Sequence, residues 1–219
     1  MIPVFSIIIP SYKSDKFIKQ CISSVLHQTF DSFEIIIIDD GSPDQTGEIC
    51  LRIAADYPYV RYIYQEHQGA GAARNKGLRV ANGEYVLFLD ADDYWVNRDL
   101  LKEIYNCFKN QNVDLVMFQM DKYTEKGRLL KRYRKKAFPD TKLSHCVHEI
   151  YPMLVRDGQV LASACNKCVK RSLLEEEYIL FPEGGYAEDI DWVIQLFSRA
   201  KYISFLNDTF RELGIGKYQ

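Results

Sequence analysis

Through its first 120 residues the chain keeps switching between two hydrophobic periodicities. Val4–Ile9 is a continuous apolar run, as a strand buried on both faces requires. Lys16–Gln28 then places Phe17, Ile18, Cys21, Ile22, Val25 and Leu26 at helical spacing on one stripe. The pattern repeats. Phe33–Ile38, Val60–Tyr64, Tyr85–Leu89 and Val113–Met120 read as strands. Thr46–Asp56, Ala70–Ala81 and Asp99–Lys109 read as helices, with Ile49, Ile53 and Ala54 inward in the first and Asp99 as N-cap of the last. Short connections between strand and helix mean βαβ units. Their right-handed crossovers give an α/β fold with a mostly parallel sheet covered by helices on both faces.

In open sheets of this kind ligands bind beyond the carboxyl ends of the strands. Three such ends here are Pro10-Ser11-Tyr12, Asp39-Asp40-Gly41-Ser42 and Asp90-Ala91-Asp92-Asp93, so five aspartates are expected at one edge of one sheet. A length of 219 residues suits one domain, and the net charge of -2 carries no basic excess that would point to nucleic acid. No apolar run approaches the roughly 20 residues of a membrane span. Val4–Ile9 has no basic residue before it and no small-residue cleavage site after Pro10, so it reads as a core strand rather than a signal peptide, and a cytoplasmic setting is expected. The six cysteines fit that setting. Only Cys165 and Cys168 are closely paired, no zinc set is complete, and His145, Cys146 and His148 lack a matching partner.

The second half is less regular. Lys122–Lys136 holds eight Lys or Arg and reads either as a solvated excursion or as a patch for an anionic membrane surface. Thr141–Arg156 is expected to be helical, Asn166-Lys167 to lead into a short helix by Leu174, and Glu183-Gly184-Gly185 to be a loop. Asp189–Ser198 has helical spacing in Ile190, Val193, Ile194 and Phe197, and Tyr202–Leu206 is a late strand.

Each motif has a bland reading. Asp90-x-Asp92 could be a turn and helix cap, or a pair of carboxylates whose repulsion a divalent cation relieves; oxygen ligands suit Mg2+ or Mn2+. Asp39-Asp40-Gly41 could be a turn, or could accept hydrogen bonds from a ribose or base. Gly69–Asn75 enters a helix through small residues and matches neither a dinucleotide fingerprint nor a P-loop. Arg74 within it could pair with phosphate or with a carboxylate.

Taken in order, Ser6-Ile-Ile-Ile-Pro-Ser-Tyr12, Glu34-Ile-Ile-Ile-Ile-Asp-Asp-Gly-Ser42, Gly71-Ala-Ala-Arg-Asn-Lys-Gly77 and Gly83-Glu-Tyr-Val-Leu-Phe-Leu-Asp-Ala-Asp-Asp93 resemble glycosyltransferase family 2. Asn166-Lys167, Phe181-Pro-Glu-Gly184 and Glu188-Asp189-Ile-Asp191 resemble the later motifs of its bacterial polysaccharide-building members. The resemblance covers roughly residues 4 to 210. It implies a GT-A fold, a Rossmann-like sheet flanked by helices, in a single domain spanning 1–219. Residues 1–120 would bind the nucleotide-sugar and 121–219 would form an acceptor side.

The resemblance also implies roles. Pro10, Ser11 and Tyr12 would cup the nucleobase, with Tyr12 stacking on it. Asp39 would hydrogen-bond the base, Asp40 would be its more structural neighbour, and Arg74 would lie near the nucleotide. Asp92 would be the direct metal ligand, with Asp90 nearer the ribose and diphosphate. Asp189 would be the catalytic base and Glu188 the alternative. The implied reaction is inverting transfer from a nucleotide-sugar, a UDP-sugar for preference, to a glycan or lipid-linked acceptor with Mn2+ or Mg2+; no nucleic acid partner and a peripheral association with the membrane are the accompanying expectations. A nucleotidyltransferase acting on sugar phosphates and a non-catalytic nucleotide-sugar-binding subunit are the competing readings. Family members usually continue past the region matching Asn207-Asp208-Thr209-Phe210, whereas Arg211–Gln219 is short, which leaves acceptor binding and membrane attachment open.

Overall fold

The computed structural model describes residues 2–123, 129–132, 137–184 and 187–213. Its elements, in chain order, are β1 (Phe5–Ser11), α1 (Ile18–Leu26), β2 (Phe33–Asp40), α2 (Thr46–Asp56), β3 (Val60–Gln65), α3 (Ala70–Val80), β4 (Tyr85–Phe88), α4 (Leu100–Asn110), β5 (Leu115–Tyr123), β6 (Leu129–Arg132), β7 (His145–Cys146), α5 (Val147–Arg156), β8 (Lys167–Lys170), α6 (Arg171–Glu176), α7 (Glu188–Arg199) and β9 (Tyr202–Leu213). The strands form one sheet in the order β3-β2-β1-β4-β8-β5-β9-β7, with β6 paired to β5.

The expected parallel order holds for β3-β2-β1-β4. Beyond β4 the sheet is mixed, because β8 runs antiparallel to both β4 and β5. The segment expected only to lead into a helix is therefore first a strand. Cys168 and Val169 point to opposite faces and join different core clusters, the period of two that a strand needs. Asn166 anchors its start, with its Nδ2 donating to Phe118 O and its carbonyl accepting from Phe118 N.

Both faces of the sheet are buried. Ile7, Ile9, Ile35 and Ile37 pack with α1 and α4 residues such as Ile22 and Leu101, while Ile8, Ile36 and Ile38 pack with α3, α5 and α7 through Ala73, Leu154 and Trp192. Gly77 permits a close approach: a Cβ there would run into Ile8 Cγ2, so α3 can lie directly on β1. Two local expectations change. Asp99 occupies the N-cap position of α4, but its carboxylate accepts from Thr29 Oγ1 at 2.6 Å instead of capping the helix. The helix expected from Thr141 starts at Val147, because His145-Cys146 pairs with β9. The side chains of the basic excursion, and Gly185 of the loop before α7, lie outside the described residues.

Candidate active site

A cavity of about 630 Å³ opens at the carboxyl ends of β1, β2 and β4, where α3 and α7 begin. Pro10, Ser11 and Tyr12 line one side of it. Tyr12 stacks on His67, with ring centroids 4.2 Å apart. Among the described residues the buried Ser11 Oγ has no hydrogen-bond partner.

The two aspartates at the end of β2 diverge. Asp40 lines the cavity, whereas Asp39 is not among the lining residues. Asp39 accepts from Tyr62 Oη at 2.7 Å and from Ser42 N at 3.0 Å. The acid expected to meet the base is thus engaged by the protein, and its neighbour faces the cavity. Asp40 accepts from Gln65 Nε2, Gln68 N and Gly69 N, and His67 Nδ1 lies 2.8 Å from its Oδ2. Burial pushes this carboxyl upward, but those hydrogen bonds and His67 prevail and hold it below the usual range. Asp40 thereby folds the 65–69 segment against the cavity.

Arg74 occupies the centre. Its Nη2 donates to Asp90 Oδ1 at 2.9 Å, its Nη1 donates to Glu188 Oε1 at 2.9 Å, and Asp189 Oδ1 lies 3.4 Å from Nη1. The guanidinium is 5.2 Å from the Phe181 ring centroid, and Phe181 stacks on Trp192 of α7. Burial alone would lower the Arg74 pKa, but Asp90, Asp189 and Glu188 raise it, so the cation is fixed. The next residue, Asn75, donates from Nδ2 to Phe181 O and accepts from Phe181 N at Oδ1. One dipeptide thus brings the end of β4 and the start of α7 together: Arg74 binds their acids and Asn75 binds the backbone leading into α7.

Asp189 is mostly buried. Burial raises its pKa first, Arg74 opposes, Asp90 and Glu188 raise it further, and the Ala164 N–H opposes; the net direction is upward. A carboxylate so placed accepts a proton more readily than an exposed one. Ala187, just before α7, has φ of 64°, a left-handed conformation unusual for a residue with a Cβ.

Asp90 lines the cavity and Asp92 does not. Ligand atoms of Asp90, Asp93 and Cys165 instead lie within 4.8 Å of one another. The two carboxylates suit a hard divalent cation. Burial raises the Cys165 thiol well above its ordinary pKa, which makes it a poor ligand for such an ion. Asp93 was not singled out from the sequence, nor were His67 and Ala162 in the cavity wall. His67 could have been found as the one ring in the loop between β3 and α3; nothing local marks Ala162.

A parallel α/β half with a cavity at its strand ends, acids from β2 and β4 on one side and α7 acids on the other, defines the GT-A class. The profile of glycosyl transferase family 2 matches residues 6–178, and the chain belongs to that family. It is 30% identical over 214 residues to the glycosyltransferase GlyG of Streptococcus pneumoniae, a match covering 95% of this chain and 69% of that protein. The crystal structure of S. aureus TarS 1-349 is similar with a TM-score of 0.77 and 28% identity, over 96% of this chain and 60% of that one. TarS in complex with UDP-GlcNAc is similar with a TM-score of 0.73 and 28% identity, over 94% and 57%. The chain spans between 30% and 69% of the length of curated relatives that match most of it. Among the described residues no helix is long and apolar enough to cross a membrane.

Proposed function

We propose that this chain catalyses inverting transfer of a sugar from a nucleoside-diphosphate sugar, with a UDP-sugar as donor, to an acceptor hydroxyl of a cell-surface glycan or lipid-linked glycan. The observation that carries this reading is the Arg74 bridge, which joins Asp90 on the donor side to Glu188 and Asp189 across one cavity. Residues 1–120 supply the donor side and the later residues supply the base.

Asp189 takes the proton of the acceptor hydroxyl as the new C1–O bond forms and the C1–O bond to phosphate breaks. Attack opposite the leaving group inverts the anomeric centre without an enzyme nucleophile. Glu188 is the alternative base. Tyr12 offers a ring face to the nucleobase, and Arg74, bonded to Asp90 and Glu188 and close to Asp189, holds these acids in place beside the diphosphate. Asp40, Asp90, Glu188 and Asp189 face the cavity with Arg74 as the cation among them. An anionic diphosphate therefore needs further positive charge there, which supports a divalent ion. Asp90 and Asp92 are the proposed ligands, with Asp93 placed to join Asp90. When bound, Mn2+ or Mg2+ would stabilise charge growing on the leaving phosphate. The family match over residues 6–178 gives no support to the nucleotidyltransferase reading.

A panel of UDP-, dTDP- and GDP-sugars, with and without manganese, tests the reading by thermal shift. A UDP-sugar with manganese is expected to raise stability by about 2.7 kcal/mol at a hundred times its dissociation constant. No shift with any sugar nucleotide in the presence of manganese would contradict the reading.

A further inference from the structure

The reaction above uses Arg74 and leaves the next residue, Asn75, without a role. Asn75 and Phe181 are both buried. Asn75 Nδ2 donates to Phe181 O at 2.9 Å, and Asn75 Oδ1 accepts from Phe181 N at 2.9 Å. Nδ2 also donates to Glu183 Oε1 at 3.1 Å. A carboxamide carries a donor and an acceptor side by side, which matches the N–H and C=O of a single residue; a carboxylate has no donor to offer. The same stretch of α3 meets this segment sterically as well. A Cβ on Gly71, one turn earlier, would run into Pro182 O. The helix therefore holds residues 181–183 by close contact at Gly71 and by hydrogen bonds at Asn75.

Phe181 passes this hold on to α7. Its ring lies parallel to that of Trp192, with centroids 4.9 Å apart and an interplanar angle of 2°. Phe88 of β4 meets both rings edge-on, at 5.1 Å and 5.6 Å. Trp192 is fully buried and lies three residues after Asp189 on α7, and residues three apart are neighbours on a helix surface. Arg74 also reaches Glu188 and Asp189 on this helix. Those contacts join side chain to side chain, and both partners can follow a shifting helix by changing rotamer. The Asn75 bonds end on backbone, which has no such freedom. Placement of a base has to be precise, since a misplacement of about 1 Å can cost about 10²-fold in rate.

We infer that Asn75 is a positioning residue for the transfer step: by clamping the Phe181 backbone it fixes the Phe181 ring against Trp192, and so fixes where α7 presents Asp189 to the cavity. The inference rests on Asp189 being the base.

The test is a double-mutant cycle of Asn75→Ala and Asp189→Asn. It is read as nucleoside diphosphate release from the sugar nucleotide selected by the panel, with manganese and with water standing in for the acceptor hydroxyl. Asn75→Ala alone is expected to lower kcat by about tenfold or more while the donor KM stays within about twofold. Phe181→Leu, which keeps the backbone bonds to Asn75 and removes the stack on Trp192, is expected to lower kcat in the same way. In the Asp189→Asn background either change is expected to alter the residual rate by less than about twofold, because the group it positions is already gone. Wild-type kcat in Asn75→Ala, an additive loss on a slow Asp189→Asn background, or an effect on KM alone overturns the inference and leaves the base reading intact. Wild-type turnover by Asp189→Asn overturns the base reading itself. Losing the Asn75 side chain leaves the buried N–H and C=O of Phe181 unpaired, which is destabilising. Asn75→Ser is therefore made in parallel, and it and Phe181→Leu carry the test if Asn75→Ala does not fold. If none of the three folds, as judged by circular dichroism, the clamp serves the fold as a whole and the inference is withdrawn.

Discussion

Arg74 is nearly inaccessible to solvent, while the three carboxylates around it keep between 21% and 32% of their side-chain exposure. Removing one partner of a fully buried ion pair is destabilising by about 3–5 kcal/mol, and partial exposure of the acids reduces that. Arg74→Gln is therefore expected to lose about 2 kcal/mol at neutral pH. The loss should depend on pH. Without Arg74, burial and mutual repulsion raise the folded-state pKa of Asp189 further above its ordinary value of 3.8. A carboxyl raised in the folded state favours folding below its unfolded pKa, and that contribution disappears as pH rises through the folded pKa. The deficit of the variant should thus be smallest near pH 4 and grow toward neutrality, as urea melts across that range would show. A deficit independent of pH would mean that Arg74 acts through packing on Phe181 rather than through charge.

At the scale of elements, α3 explains why small residues precede and follow Arg74. Gly77→Ala places a methyl against Ile8 Cγ2 of the buried β1, and Ile8 is β-branched and stiff. The variant is expected to lose about 1–3 kcal/mol. Donor affinity should weaken as well, because Arg74 lies one turn earlier on the same helix. Urea melts and calorimetry check both effects, and wild-type values for each would contradict the close packing. The elements of the first half were legible because their signal is local: Val4–Ile9 and Phe33–Ile38 are too apolar to be anything but central strands. β8 was not, because Lys167 interrupts its apolar pattern and its partners β4 and β5 are distant in sequence. Side-chain direction was harder still. Asp39 and Asp40 are neighbours on a strand, where successive side chains point opposite ways, and only the packing of β3 and the 65–69 segment decides which one meets the cavity. The motif containing Arg74 was readable, but its contact with Glu188, 114 residues away, was not. Asp93 was passed over for Asp92 because a turn, unlike a helix or strand, gives no period from which to assign a face.

For the molecule as a whole, the parallel half and the mixed half share one sheet, so the cavity walls are parts of one core. The proposed donor-side acids come from strand ends, and the proposed base comes from a helix packed on the same sheet through Trp192 and Phe181. Separate walls imply separable functions: one can be disabled while the other still binds. Asp189→Asn tests this most directly, with Glu188→Gln made in parallel and the donor selected by the panel. Transfer by Asp189→Asn should fall by about 10² to 10⁴-fold. Donor affinity measured by calorimetry with manganese should stay near the wild-type value. Wild-type transfer by Asp189→Asn, or loss of donor binding in both variants, would contradict the account.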